Sequence, residues 1–462
     1  MEGALMKSDQ KVFLSVRTDG LGARLRSLLN ASYLAKRHGV HYRFIWTKNN
    51  DKSHAIYSAD KTFASEYLSH HLSEPTRDGY LELPPGLHSA QGVSQTLDAS
   101  DRGVIVHYDT LPLHMVDDDS DQLVGFRGLF DQIGFQSRYK RLIAATYEIT
   151  LPENPIALHH RTGDIVYGSY RYMSNYNRKA LPVPIAKQEI LSLMDSGSNP
   201  IIFGQDEPTC KHLAASGARA CLLAQDLIHF VPRDDRLGVA LCEVVLMSRC
   251  REIRAGSSAF AELAAMIGGI EIVDPRSGMD DRESVEMLVG AVERGDLSQL
   301  HPLQISYAIF SAVHLGRNVL SVARRIELMN SALVHDAKNP FYWILLMSLL
   351  LADDRMDAAR EAAAACVTHC FDSENVFMSS LYLAISKSVG KAKSPLAMYK
   401  TRVRMVANQH RGAASFIMAL YSLAEKDIKR AKQHLEAAYT SVEMRGHVDR
   451  MNAALAAVSV SP

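Results

Sequence analysis

From about residue 155 the sequence alternates between short apolar runs and longer segments with apolar residues at helical spacing, and this order leaves few folds open. Short apolar runs bounded by Gly, Pro or polar residues favour strands, whereas apolar positions three and four residues apart favour helices. We therefore predict a doubly wound α/β domain with a parallel sheet. Its predicted strands are PIALHH, NPIIFG, ARACLLA, REIRAG and IEIVDP, and its predicted helices are IAKQEILSLMDSG, PTCKHLAASG, LGVALCEVVLMSRC and SAFAELAAMIGG.

The N-terminal part shows the same order of elements. The run KVFLSV predicts a strand that breaks at the glycine-containing turn RTDGLG. Leucines then recur near helical spacing until Gly39, which suits a helix end, and the alternation from Val40 to Trp46 predicts another strand. Between 50 and 150, GVIVHY favours a strand, and DQIGFQSRYKRLIAATYEI favours a helix leading to a boundary at LPENP. Two α/β domains in series predict a cleft between them.

After about residue 280 the sequence predicts helices only. Three similar segments open on Phe341, Phe377 and Phe416, which are 36 and 39 residues apart. Helix pairs that repeat at this interval resemble tetratricopeptide repeats, and a plain helical bundle is the alternative. The predicted domains are an N-terminal α/β domain over 1–150, a second α/β domain over 151–280 and a helical domain over 281–462.

Charge and composition narrow the possible partners. The chain has 51 basic and 51 acidic residues, so no overall field attracts it to nucleic acid, and an anionic ligand must be held locally. No apolar stretch approaches the roughly 18 to 20 residues that span a bilayer, and the first residues lack the apolar run of a signal peptide. We therefore expect a cytoplasmic protein without a membrane span. The six cysteines form no CxxC pair, which disfavours zinc and disulfide frameworks.

The stretch IALHHRTGD joins a predicted strand to a polar loop. Strand alternation places His159 and Arg161 on one face and His160 on the other, so the histidines cannot share a metal ion, and we expect no metal. The stretch lacks the GxSxG nucleophile motif, which disfavours a serine-type hydrolase. Arginine's planar guanidinium suits phosphate oxygens, which favours an anion site. A histidine and an arginine that only stabilise a domain interface are the alternative.

Two further segments follow strand ends in the same predicted sheet. Ser257 and Ser258 begin a helix after Gly256, and the N–H groups and dipole of a helix N-terminus bind anions. Simple capping serines are the alternative. Asp206 follows the strand NPIIFG and precedes a helix, so it either caps that helix or binds a nucleotide's base or ribose. Together these residues predict a diphosphate site at the carboxyl edge of the sheet.

In combination, these motifs resemble the fucosyltransferase superfamily of GT-B fold, whose bacterial and eukaryotic members form α1,2- and α1,6-fucosyl linkages or O-fucosylate proteins. HHRTGD is similar to the family's H-x-R-x-G-D motif, IIFGQDEP to its polar-Asp segment, and SSAF to its SSxF motif. VRTDGLGARLRSLLNASYLAKRHG is similar to its Gly-rich opening loop and helix. The resemblance covers about residues 11–275. It implies two Rossmann-like domains of GT-B type, here followed by an all-α helical-repeat domain.

The resemblance also implies an activity: inverting transfer of L-fucose from GDP-fucose to a glycan or protein acceptor, without a metal or other cofactor. The implied donor-binding residues are Arg161, Gly163, Asp206, Ser257, Ser258 and Phe260. An inverting transfer also needs a base to take the acceptor's proton, and for that role we favour Asp164, with His159 as the alternative. We expect Arg17, Asp19 and Gly20 in the N-terminal loop to position donor or acceptor across the predicted cleft.

Some residues depart from the family pattern. Thr162 stands where many members have a second arginine, so either Arg17, Arg24 or Arg254 supplies that charge or the donor is another nucleotide sugar. The helical region has no counterpart in the minimal fold, and we expect it to bind a protein partner or a second copy of the chain. A non-catalytic interaction protein with a nucleotide-sensing α/β part is a further alternative. The acidic segment around 117–121 resembles a metal-binding DxD element, but its place between elements favours an exposed loop.

Overall fold

The computed structural model describes residues 11–47, 56–83, 90–110, 121–172, 178–217, 219–371, 373, 375–388 and 395–460. The fold is a mixed α/β architecture with two parallel sheets and many helices. The residues form two compact units. Unit 1 comprises Met1–His160, Ile190–Gly204 and Cys210–Asp274, and unit 2 comprises Arg161–Glu189, Gln205–Thr209 and Pro275–Pro462.

The first sheet lies in unit 1 and is wholly parallel, with the strand order β2-β1-β4-β3. Its strands are β1 (Val12–Val16), β2 (His41–Ile45), β3 (Tyr80–Glu82) and β4 (Gly103–Val106). The helices in this part of the chain are α1 (Leu21–His38), α2 (Ala59–Thr62), α3 (Ser65–His71), α4 (Ala90–Ala99), α5 (Asp121–Asp131) and α6 (Ser137–Tyr147). The predicted strand–helix–strand start is confirmed, and α1 ends at Gly39, whose φ of 66° is left-handed.

The helix predicted over residues 131–149 is confirmed from Ser137 to Tyr147, where it forms α6, and is wrong over residues 132–136, where the chain leaves the helical conformation after α5. Phe135 forms an antiparallel bridge with Phe63, and the Gln136 side chain donates to the Phe63 carbonyl at 2.9 Å. These contacts with a distant segment replace the helical hydrogen bonds that the local sequence favours. The short strand β3 has no counterpart in the sequence prediction.

The second sheet also belongs to unit 1 and is parallel, with the order β7-β6-β5-β8-β9. Its strands are β5 (Pro155–His159), β6 (Asn199–Phe203), β7 (Leu222–Leu223), β8 (Glu252–Ala255) and β9 (Glu271–Val273). The helices between them are α7 (Val183–Asp195), α8 (Glu207–Ala214), α9 (Ala224–Leu227), α10 (Arg236–Ser248) and α11 (Ala259–Gly268). The predicted alternation is confirmed, although β7 is much shorter than the predicted ARACLLA strand.

Each sheet contains a point where the winding direction reverses. The chain passes from β1 to β2 on one side and later adds β4 on the other side of β1. It likewise passes from β5 to β6 and later adds β8 on the opposite side of β5. Ligands of open α/β sheets bind at the carboxyl ends of strands at such reversals. The loops after β1 and β4, and those after β5 and β8, therefore flank the expected ligand positions.

One apolar core runs through unit 1 and includes residues from both sheets, such as Phe13 and Val104 of the first sheet and Ala157 and Ile253 of the second. Burial of such side chains is the main stabilising contribution. The boundaries predicted at 150/151 and 280/281 stay predictions.

The described residues after 280 are helical, and their core includes Phe341 and Phe416, which are both at most 2 % exposed. The helices are α12 (Asp281–Glu293), α13 (Pro302–Leu315), α14 (Val322–His335), α15 (Pro340–Ala352), α16 (Met356–Cys370), α17 (Ser380–Ser388), α18 (Pro395–Gln409), α19 (Ala413–Ala424), α20 (Ile428–Tyr439) and α21 (Arg445–Val460). The tetratricopeptide-like repeat stays a prediction. Within the described residues, no helix combines the length and apolar character needed to cross a membrane.

Candidate functional site

The carboxyl edge of the second sheet carries an unpartnered hydroxyl at a helix N-terminus. Ser258 precedes α11 and is 2 % exposed, and its Oγ has no hydrogen-bond partner among the described residues. Ser258 therefore does not cap α11 through its side chain, which was the alternative left open by the sequence. A buried hydroxyl without a partner is costly, so an oxygen supplied by a ligand would stabilise it. The neighbouring Ser257 is exposed to solvent.

His159 lies across the winding reversal from these serines. It ends β5 and pairs in register with Ala255 of β8, and its side chain is 8 % exposed. The ring of Phe260, in the first turn of α11, lies 5.7 Å from the imidazole, centroid to centroid. His159, Ser258 and Phe260 are thus brought to one end of the second sheet.

The loop after β1 carries a charged pair at the carboxyl edge of the first sheet. Arg17 Nη2 lies 2.5 Å from Asp19 Oδ2, and Arg17 Nε lies 3.1 Å from Asp19 Oδ1. The Arg17 guanidinium also stacks over the ring of Tyr108, 4.5 Å from its centroid, in the loop after β4. Arg17 and Asp19 are therefore held together, and Gly20 follows them as the residue before α1.

Arg24 and Arg254 have partners within the protein. They are two of the three arginines suggested to supply the charge of the second arginine that Thr162 replaces. Arg24 donates to the carbonyls of Asp19, Thr47 and Thr18 at 2.7, 2.7 and 2.8 Å. Burial lowers the pKa of Arg24 to about 10. Arg254 Nε lies 2.6 Å from Glu252 Oε1. Arg24 thus fixes the shape of the loop after β1.

The N-termini of α1 and α11 meet inside unit 1. A Cβ placed on Gly22 would lie 2.6 Å from the Phe260 nitrogen and 2.6 Å from the Ala259 carbonyl oxygen. Arg26, one turn into α1, is buried and forms an ion pair with the partly exposed Glu262 in the first turn of α11. Arg26 Nε has no partner among the described residues. The positive ends of two helix dipoles therefore converge near Ser258, which is favourable for an anion.

Arg161 and Asp164 lie in unit 2 and form an ion pair. Arg161 Nη2 donates to both carboxylate oxygens of Asp164, at 2.9 Å to Oδ2 and 3.1 Å to Oδ1. The paired strand ends at His159, so strand alternation does not fix the direction of Arg161, contrary to the sequence prediction. Instead, residues Gly163–Tyr167 form a π-helix. A Cβ on Gly163 would lie 2.2 Å from Gln205 Oε1, so the absence of a side chain permits this contact.

Asp206 caps α8, one of the two roles predicted for it. Its Oδ1 accepts from the Thr209 backbone at 3.3 Å. Its Oδ2 accepts from the Tyr167 hydroxyl, from Thr209 Oγ1 at 2.5 Å and from Gln304 Nε2 at 2.9 Å. Burial alone would raise the pKa of Asp206, but these hydrogen bonds outweigh burial and lower the pKa below its ordinary value. The carboxylate is therefore ionised and held by protein groups.

Several residues around these positions were missed by sequence reasoning. Tyr108 stacks on Arg17, Tyr167 and Gln304 bind Asp206, and Glu262 binds Arg26. Tyr167 closes the HHRTGDIVY motif and could have been noticed there, whereas Gln304 is distant in sequence and carries no local signal. The described residues contain no group of three metal-ligating side chains. The acidic segment 117–120 lies outside the described residues.

Similar solved structures include POFUT1 in complex with GDP-fucose, at 9% identity and a TM-score of 0.30, covering 57% of this chain and 95% of that chain. The fucosyltransferase NodZ from Bradyrhizobium has 14% identity and a TM-score of 0.30, covering 55% and 93%. POFUT1 in complex with GDP has 10% identity and a TM-score of 0.32, covering 58% and 98%. At these TM-scores the likeness does not define the site of this chain. No protein-family model and no curated protein matches the sequence.

Proposed function

We propose that the chain is an inverting glycosyltransferase that uses a nucleotide diphosphate sugar, with GDP-fucose as the donor, and a glycan or protein as the acceptor. The observation that carries the proposal is the unpartnered Ser258 hydroxyl at the point where the N-termini of α1 and α11 meet. Two converging helix dipoles and an unused hydroxyl favour a ligand with several anionic oxygens. A diphosphate meets this requirement, and the motif resemblance supplies the donor identity.

The proposed mechanism needs stabilisation of the leaving group and a base. Ser257, Ser258, the N–H groups of α11 and Arg161 stabilise the negative charge that develops on the diphosphate. The acceptor hydroxyl oxygen attacks the anomeric carbon, and its proton passes to the base. The bond between the anomeric carbon and the β-phosphate oxygen breaks, and its electron pair stays on the diphosphate. No step uses a metal, so activity should persist in EDTA.

The ion pair between Arg161 and Asp164 gives the proposed base a means of activation. A carboxylate bound by a guanidinium is a weak base, because the positive charge stabilises its ionised form. When Arg161 binds the diphosphate, it exchanges Asp164 for phosphate oxygens, and the freed carboxylate accepts the acceptor's proton. Donor binding would therefore switch on the base. His159 is the alternative base.

Phe260 and Asp206 contribute to donor binding indirectly in this scheme. The Phe260 backbone lies against Gly22 and its ring lies near His159, so it fixes the approach of the two helix ends. Asp206 fixes the start of α8 and holds Tyr167. Arg17 and Asp19, oriented by Tyr108 and Arg24, are proposed to position the acceptor or the sugar.

A second candidate function is nucleotide-dependent interaction without catalysis. The observation that favours it is the engagement of Asp164 and Asp206 by protein groups, which leaves no free carboxylate among these proposed site residues in the absence of ligand. Under this alternative, nucleotide binding would alter the helical region's interaction with a protein partner or a second copy of the chain.

Thermal unfolding of the wild type with GDP, UDP, ADP and CMP distinguishes these functions. A ligand at 100 times its Kd stabilises the protein by about 2.7 kcal/mol. Stabilisation by GDP and transfer of fucose from GDP-fucose support the proposal, and loss of transfer in a folded Arg161→Ala variant supports the role of the guanidinium. Stabilisation by another nucleotide indicates a different donor. GDP binding without transfer to any glycan or protein supports the second candidate function. Retained transfer in Arg161→Ala refutes the proposed mechanism.

A further inference from the structure

The segment 161–172, which carries Arg161 and Asp164, is built into the core of the helical region. Its apolar side chains Ile165, Val166 and Tyr172 are at most 8 % exposed and belong to the same apolar cluster as the helices of unit 2. The segment contains a five-residue π-helix, a conformation that is rare and is frequently found at functional sites. The burial of these side chains therefore fixes the segment to the helices of unit 2.

The first polar anchor of this segment is Gln304, in α13. Its side chain is 1 % exposed, and its amide nitrogen donates to Asp206 Oδ2 at 2.9 Å and to the Tyr167 hydroxyl at 3.2 Å. The Tyr167 hydroxyl itself donates to the same carboxylate oxygen of Asp206. Tyr167 is the last residue of the π-helix, so Gln304 fixes the end opposite Gly163.

The second polar anchor is formed by Asp336 and Asn339, between α14 and α15. Arg171 Nε lies 3.3 Å from Asp336 Oδ2, and the Asn339 amide donates to the Arg171 carbonyl at 3.3 Å and to Asp336 Oδ2 at 3.1 Å. Arg171 also donates to the carbonyls of Tyr167 and Gly168, both at 3.1 Å. The guanidinium thus connects the C-terminal end of the π-helix to the helical region.

Both anchors are buried, so their polar groups need hydrogen-bond partners within the protein. Asp336 is 5 % exposed and Asn339 is fully buried. Burial raises the pKa of Asp336, and the charge of Arg171 partly opposes that rise. Removing one partner of such a network leaves a buried polar group without a hydrogen bond, because water does not reach it to replace the lost partner. Two independent anchors on one short segment indicate that its position, and not only its burial, is held.

We propose that Gln304, Asp336 and Asn339 are positioning residues for Arg161 and Asp164, through which the helical region holds these two side chains for donor binding. This inference rests on the proposed function. The helices after residue 280 then serve the chemistry by holding the segment that carries Arg161 and Asp164. Disturbing an anchor displaces Arg161 while leaving the sheets intact.

The test uses the full chain with Gln304→Met, Asp336→Asn and the control Ser311→Ala. Methionine keeps the length of Gln304 without its donor, and asparagine keeps the shape of Asp336 without its charge. Ser311 is buried in the same helix as Gln304, and its hydroxyl donates to the Tyr307 carbonyl within that helix at 2.8 Å, so it belongs to neither anchor. Three quantities are measured: deuterium uptake over residues 161–172, the Kd for GDP and the Kd for GMP.

We expect faster deuterium uptake in this segment and about tenfold weaker GDP binding in both anchor variants, with little change in GMP binding, because Arg161 acts on the diphosphate. A purely structural role would weaken GDP and GMP equally. Ser311→Ala should leave all three quantities unchanged. Wild-type binding of GDP with unchanged GDP affinity in the anchor variants overturns this inference but not the proposed function. Failure of the wild type to bind GDP overturns both.

Discussion

Gly22 and Phe260 touch through their backbones, so the first turns of α1 and α11 lie against each other although the two residues are 238 positions apart in the sequence. A Cβ on Gly22 would lie 2.6 Å from Phe260 Cα. Only a residue without a side chain permits this approach. The contact unites the loops that follow β1 and β8, each at a winding reversal of its sheet.

The first prediction concerns this contact. Gly22→Ala should destabilise the protein by about 1–3 kcal/mol, because the added methyl group meets backbone atoms that cannot rotate away. It should also weaken GDP binding, because the helix ends are forced apart. Gly128→Ala is the matched control: Gly128 lies within α5 with no atom within 4 Å of an added Cβ, and this change should stabilise by roughly 0.5–1 kcal/mol. Chemical denaturation and calorimetric titration with GDP measure both effects, and wild-type stability in Gly22→Ala would contradict the prediction.

The second prediction separates ligand binding from stability at Ser258. Its hydroxyl has no partner, so Ser258→Ala should leave the free energy of unfolding unchanged or slightly higher, while GDP binding weakens several-fold through loss of a hydrogen bond of about 1 kcal/mol. Ser321→Ala should behave oppositely. Ser321 Oγ accepts from the Arg324 backbone at the start of α14, so its loss should cost about 1 kcal/mol of stability without affecting GDP. Unchanged GDP affinity in Ser258→Ala would remove this residue from the site.

The third prediction tests the exchange of partners at Arg161. Asp164→Asn removes the negative charge that Arg161 binds, so GDP should bind several-fold more tightly, while transfer should fall by about 10²–10⁴-fold through loss of the base. Asp296→Asn is the control, because Asp296 forms a comparable but exposed pair with Arg294 at 2.9 Å. Calorimetry and a transfer assay are the measurements. If Asp164→Asn keeps full transfer, Asp164 is not the base, and His159→Gln becomes the decisive variant.

The regular elements could be predicted from sequence because local patterns determine them. The apolar run of β1 is bounded by a turn, and α1 ends where Gly39 adopts a left-handed conformation. The break between α5 and α6 could not be predicted from sequence, because the Phe63–Phe135 bridge joins residues far apart in the chain. Strand β3 is three residues long and carries too little pattern to be recognised.

The candidate site was predictable in its residue types but not in its pairings. Arg161 and Asp164 are three residues apart, a spacing at which an ion pair could have been expected. Asp206 left two roles open because a cap and a nucleotide ligand share the same sequence context. Its contact with Gln304 depends on how distant helices pack, and a single sequence does not contain that information.

The fourth prediction concerns a carboxyl group buried within α10. Glu243 is 8 % exposed, and burial raises its pKa to about 8. In the unfolded chain a glutamate has a pKa of about 4.3. The folded state therefore binds this proton more tightly, so the associated stabilisation is complete below about pH 4.3 and is lost as the pH rises through about 8.

Glu243→Gln replaces the carboxyl with an amide that does not titrate. Relative to the wild type, the free energy of unfolding of this variant should rise steadily between about pH 4.3 and 8, and the difference should be on the order of a few kcal/mol at pH 9. In that range the wild type must take up a proton in order to fold, and above it the wild type must bury a charged carboxylate, whereas the amide does neither. The exposed Glu66→Gln should shift stability by less than about 0.5 kcal/mol throughout. Urea denaturation at half-unit pH intervals gives both curves. If the difference in stability between Glu243→Gln and the wild type stays constant from pH 5 to 9, the Glu243 carboxyl does not titrate in this window. If the difference falls as the pH rises, folding lowers the pKa of Glu243 and the prediction is contradicted.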